Sequence, residues 1–222
     1  GCGFPSERVV SIPTGIDFDR LVPQRSSATV RAELGLGVDD FVVLMVGVIR
    51  AVKRHEVALA AFAQLATELP SSRLVIAGDG PMRAWTEARA HALGIAGKTR
   101  FLGERDDIGE LIGASDVLLL SSRSEGVPQA VTQALGLGRP VVATRVGGIP
   151  ELVEDGVSGK LVEPEDADGM ARALATLASD AALRRRMGEA GREHVRADYS
   201  LAIMLDRTEA LYRRLLGARG TS

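Results

Sequence analysis

Short apolar runs spaced along this chain constrain its fold more than any other feature. Val9–Ile12, Phe41–Val46, Leu74–Ala77, Val117–Leu120 and Val141–Ala143 are rich in Val, Ile and Leu and do not alternate with polar residues. Such runs suit parallel strands covered on both faces. Stretches of helical period separate them. Between His55 and Leu69, the residues Val57, Ala61, Leu65 and Leu69 recur every four positions and define one buried face. Pro81 to Leu93 reads as a helix with Pro81 at its first position. Pro128 to Leu137 is a shorter helix that ends among Gly136 and Gly138. Strand and helix in this rhythm predict an α/β fold, a Rossmann-like parallel sheet wound on both sides. The last third predicts three consecutive helices, Asp166–Ala178, Ala181–Arg196 and Leu201–Leu216, with no strand after Lys160–Val162. Leu201, Leu205, Tyr212 and Leu216 fall near one face of the third. These helices cap the sheet or pack on a neighbouring domain, and the tail Gly217–Ser222 reads as disordered.

Composition removes several function classes. A formal charge of −2 over 222 residues gives no electrostatic case for nucleic acid or an anionic membrane surface. No apolar run approaches the roughly 18 residues of a membrane span. The single cysteine, Cys2, cannot form an intrachain disulfide and fits a reducing compartment. No pair of histidines or carboxylates has ligand spacing, so no dedicated metal site is expected. The chain starts with Gly1 rather than methionine, which suggests a processed protein or a piece of a longer one.

In open parallel sheets, ligands bind beyond the carboxyl ends of the strands. The segments after each run are therefore the candidates for chemistry. After Phe41–Val46, Gly47 lets a ligand approach the backbone, and Arg50 and Lys53 follow near a helix N-terminus. Two cations beside free amides would clamp a diphosphate; a solvated basic turn is the alternative reading. After Leu74–Ala77, Gly78-Asp79-Gly80 lacks the third glycine of a dinucleotide fingerprint and reads as a structural turn. After Val117–Leu120, Glu125 lies in a loop, Gly126 to Pro128 lead into a helix, and Gln133 lies about a turn and a half along it. A carboxylate, a helix start and a polar side chain converge there on a volume suited to a sugar, a phosphate and a ribose; a plain surface loop is the alternative. After Val141–Ala143, Gly147 and Gly148 precede a short helix and offer amides to an anion. His55 reads as a residue of a helix N-terminus.

Taken together, Ile12-Pro13-Thr14-Gly15-Ile16-Asp17, Gly47…Lys53, Gly78-Asp79-Gly80-Pro81, Glu125-Gly126-Val127-Pro128 and Pro140…Glu151 resemble family 4 of the glycosyltransferases. Gly156-Val157-Ser158-Gly159 with Leu161-Val162 extends the match, which covers roughly residues 8–200. The resemblance implies a retaining enzyme of GT-B architecture, with two Rossmann-like domains facing a cleft. On it, Arg50 and Lys53 hold the donor diphosphate, with Val48 standing where many members have the arginine. Glu125 is the catalytic carboxylate, set against the donor sugar. Amides from Gly126, Val127 and Gln129 around Pro128 bind sugar hydroxyls and phosphate oxygens. The family's second glutamate, which holds the ribose, is replaced here by Gln133, and the base meets the region around Phe101–Ile108. The family's acceptor site lies in an N-terminal domain that this chain lacks. The expectation is therefore a donor-binding domain over residues 1–222, cytoplasmic or at the inner face of the membrane. Its partner would be a nucleotide diphosphate sugar, with no cofactor or metal. The acceptor, a lipid-linked sugar, a polysaccharide or a small molecule, would be held elsewhere. A nucleotide-sugar epimerase and a non-catalytic nucleotide-binding module are the alternatives.

Overall fold

Six strands form one sheet in the computed structural model, which describes residues 9–217. They are β1 (Phe41–Val46), β2 (Ser72–Ala77), β3 (Thr99–Gly103), β4 (Val117–Leu120), β5 (Val141–Thr144) and β6 (Gly159–Val162). All neighbours run parallel, in the order β3-β2-β1-β4-β5-β6. The order reverses between β1 and β4, the switch point where such sheets open a crevice. The Rossmann-like fold expected from the apolar runs is the fold observed.

The uninterrupted apolar character of β1 has a direct cause, because alternate side chains enter different cores. Val42 and Leu44 join one, and Phe41, Val43 and Met45 the other. The first core is closed by α1 (Ser27–Glu33), α4 (Ile108–Ala114), α5 (Gln129–Gly136), α6 (Ile149–Leu152) and part of α8 (Ala181–Asp198). The second is closed by α2 (His55–Glu68), α3 (Arg83–Ala92) and α7 (Ala167–Ser179). Each fully buried Leu, Ile or Phe contributes about 1.5–3 kcal/mol.

Several expectations are corrected. Residues 9–12 form no strand; Val9 and Val10 are exposed, and the nearest pairing is one isolated bridge between Ile16 and Ser200. Strand β3 was not anticipated, because at the sheet edge Thr99 and Arg100 interrupt its apolar run. Helices α1 and α4 are only seven residues long, too short for a clear helical period. Helix α3 begins at Arg83, after Pro81 and Met82 have formed a turn. Helix α9 (Leu201–Gly217) exists, but Leu201, Leu205, Tyr212 and Leu216 are exposed rather than packed on the sheet. Cys2 and residues 218–222 of the tail lie outside the described residues.

His55 opens α2 and is 5% exposed. Burial, aided by the charge of Lys53, lowers its pKa from 6.5 to about 4. The unfolded chain therefore takes up this proton below about pH 6.5 while the folded chain refuses it down to about pH 4. Stability is complete above pH 6.5 and falls as the pH drops through that window, by on the order of 2–3 kcal/mol. Urea unfolding of wild type and His55→Gln between pH 7 and 4 tests this; the wild type should lose more stability than the variant.

Candidate donor-binding cleft

The loops after β1 and β2 are laced together first. The Gly47 amide donates to the Ala77 carbonyl at 2.9 Å and the Ile49 amide to the Asp79 carbonyl at 2.8 Å. A Cβ on Gly78 would stand 2.0 Å from the Gly47 carbonyl oxygen, and one on Gly80 2.5 Å from that of Ile49. The glycines of Gly78-Asp79-Gly80 thus serve close backbone approach, consistent with a structural turn. Beyond Gly47 the chain makes one 3-10 turn, Ala51–Lys53, and enters α2 through Arg54 in left-handed geometry (φ 50°, ψ 46°). The loop after β4 grips that turn. The buried Ser121 hydroxyl donates to the carbonyls of Lys53 and Arg54 at 2.8 and 2.9 Å, and the Arg123 amide donates to the Val52 carbonyl at 2.8 Å.

Held this way, Lys53 reaches across the switch point to Glu125, with Nζ 2.7 Å from Oε1. The two side chains are only 24% and 11% exposed, so most of their hydration has been replaced by each other. The buried Ser122 hydroxyl donates to the same Oε1. The Glu125–Gly126 backbone rests against Gly147 and Gly148. A Cβ on Gly147, which has φ +53°, would lie 1.8 Å from the Glu125 carbonyl oxygen. The Gly148 amide donates to the Gly126 carbonyl at 3.1 Å. That amide is therefore spent on the loop, which corrects the reading of the glycine pair as an anion site.

A cleft of about 550 Å³ opens beside this pair. Gly47, Lys53, Pro128, Gln129 and Gln133 line it together, as the sequence motifs had suggested. Pro128 is the N-cap of α5 and offers no side-chain cap, and the Gln129 and Ala130 amides have no partner among the described residues. Gly126 is exposed, with open space where a Cβ would stand, and Val127 packs against the first core. Arg50 is not brought to the cleft: it is exposed and forms no ion pair among the described residues.

The far wall was not foreseen residue by residue. It comes from the loops after β2 and β3, with Asp79, Glu104, Arg105, Asp106 and Ile108. Of the region around Phe101–Ile108, the wall takes its later part. Arg105 is held by two hydrogen bonds to Asp107, at 2.8 and 2.6 Å, and they keep the Asp107 carboxyl below its usual range. Asp79 is likewise held low, by the Gly80 amide and then by Arg83. Among the described residues, no three His, Cys, Asp or Glu side chains are placed to hold a metal ion. No helix there is long and apolar enough to cross a membrane.

Comparison with known proteins agrees with this geometry. The chain is 31% identical over 212 residues to an N-acetyl-alpha-D-glucosaminyl L-malate synthase of Bacillus anthracis, covering 96% of this chain and 55% of that protein. It is 30% identical to a sucrose-phosphate synthase of Thermosynechococcus elongatus, with a TM-score of 0.82 over 93% of this chain and 52% of that one. It is 25% identical to Alr3699/HepE of Anabaena, solved in complex with UDP and glucose, with a TM-score of 0.87 over 95% of this chain and 58% of that one. The chain spans about half the length of these relatives. Residues 26–194 match the family described as glycosyl transferases group 1, and the chain belongs to that family.

Proposed function

We propose that this chain is the donor-binding domain of a retaining glycosyltransferase, holding a nucleoside diphosphate sugar for transfer to an acceptor bound by another domain. The observation that carries the reading is the cleft at the switch point, where a lysine–glutamate pair meets the open start of α5. A diphosphate entering there finds the Lys53 ammonium and the unpaired amides of Gln129 and Ala130. Charge-assisted bonds to these groups replace its water without a metal ion. Lys53 exchanges one anion, Glu125, for another. Arg50 is a second diphosphate ligand only if its loop moves. Gln133, with a neutral amide that can donate and accept, suits ribose hydroxyls.

Glu125 then faces the sugar. In transfer the bond from the anomeric carbon to the diphosphate breaks, and positive charge builds on that carbon. A fixed carboxylate in a largely covered site stabilises that charge more than it stabilises the uncharged sugar of the ground state. The acceptor, a lipid-linked sugar, a polysaccharide or a small molecule, is bound by the rest of the protein. A cytoplasmic setting, including the inner face of a membrane, matches where nucleotide sugars are consumed. Membership of the transferase family favours this reading over an epimerase or a non-catalytic module.

The 222-residue chain should bind a nucleoside diphosphate and its sugar conjugate in calorimetry yet transfer no sugar; clear turnover to an acceptor would contradict the assignment. Lys53→Ala should weaken diphosphate binding ~10-fold or more while leaving a phosphate-free nucleoside unaffected. Equal loss for both ligands would indicate misfolding instead. In the full-length protein, Glu125→Gln should lower kcat ~100-fold or more with little change in donor KM. Gln133→Ala should raise donor KM by a few fold to ~10-fold and leave kcat nearly intact, as expected for about 1 kcal/mol of uniform binding. A reversal of these two patterns would show that the roles are misassigned.

A further inference from the structure

We infer that Ser122 is the positioning residue for Glu125, the group that keeps its carboxylate in place once the donor diphosphate has taken Lys53. The inference rests on the reading of Glu125 as the carboxylate beside the donor sugar.

Two donors meet one oxygen. Lys53 Nζ and the Ser122 hydroxyl both reach Glu125 Oε1. Oε2 has no hydrogen-bond or ion-pair partner among the described residues, and it is not among their buried unpaired atoms. The carboxylate is thus fixed through one oxygen and leaves the other open to solvent and to whatever occupies the cleft. The two donors differ in what holds them. Lys53 is a flexible cation on the cleft wall, and a diphosphate carries more negative charge than one carboxylate. Ser122 is neutral and fully buried, with little to attract it elsewhere. Its backbone is anchored in turn, because the buried Thr144 hydroxyl at the end of β5 donates to the Ser122 carbonyl. Ser122 therefore stays when Lys53 leaves. Without it, a Glu125 carboxylate that has just lost its counter-ion would be free to rotate toward water. A charge-stabilising group works only if it is fixed before the charge develops.

The test uses the full-length protein and a panel of UDP-, GDP- and ADP-hexoses, scored by release of the free nucleoside diphosphate on the fastest member. Ser122→Ala should lower kcat ~10-fold or more with donor KM changed less than about twofold. The double variant Ser122→Ala/Glu125→Gln should be no slower than Glu125→Gln alone, since Ser122 acts only through that carboxylate. Ser122→Cys, with similar volume and a weaker donor, should fall between wild type and Ser122→Ala, and it keeps the test intact if the alanine variant folds poorly. A wild-type kcat in folded Ser122→Ala or Ser122→Cys alongside a slow Glu125→Gln would overturn the inference. Independent, multiplicative losses in the double variant would do the same. Full activity of Glu125→Gln would instead sink the donor-site reading itself, and this inference with it.

Discussion

Lys53 and Glu125 are 72 positions apart in the chain, yet their side chains share a proton-bearing contact. What allows this is the reversal of strand order between β1 and β4. Connections from these two adjacent strands run to opposite faces of the sheet, so no crossover fills the space above their ends. The two loops close only part of that space. Ser121 pins the turn that carries Lys53, and Gly147 and Gly148 let the Glu125 loop lie close enough to meet it. Without that scaffold, a lone lysine and a lone glutamate would sit in water, where an ion pair contributes about 0–1 kcal/mol.

The arrangement carries local cost. Arg54 follows Lys53 in left-handed geometry, which disfavours a residue with a Cβ by roughly 1–2 kcal/mol. Its guanidinium is held by Glu56 at 2.9 Å and by Glu165, while its Nε is buried without a partner. The neighbouring His55 is kept neutral by burial. Strain, an unpaired polar atom and a depressed pKa thus gather within a few residues of the cleft lysine. That clustering is common where a fold positions chemistry rather than maximises stability.

The parts of the fold legible in the sequence were those with buried strands. Phe41–Val46 and Val117–Leu120 matched β1 and β4 because both faces of these strands are covered. As the cleft lies at their ends, Gly47, Lys53, Pro128, Gln129 and Gln133 could be located from strand positions alone. Edge elements were not legible. β3 mixes polar and apolar residues, and the cleft wall that follows it, with Glu104 and Arg105, went unassigned as a result. Arg50 was grouped with Lys53 by proximity in sequence, but an exposed, extended residue at the start of a 3-10 turn need not share its neighbour's direction. Residues 9–12 show the converse error, since an apolar run without a strand to pair with does not become one. The Lys53–Glu125 contact itself had no sequence signal, because spacing does not reveal which cleft residues satisfy each other when no ligand is present.

The central claim is that Lys53 exchanges Glu125 for a diphosphate at the switch point. A crystal structure of the chain soaked with a nucleoside diphosphate tests it most directly. The account predicts phosphate oxygens within hydrogen-bonding distance of Lys53 Nζ and of the Gln129 and Ala130 amides, with Glu125 released from Lys53. A diphosphate seated elsewhere on the chain, or one in this cleft that leaves the Lys53–Glu125 pair undisturbed, would contradict it.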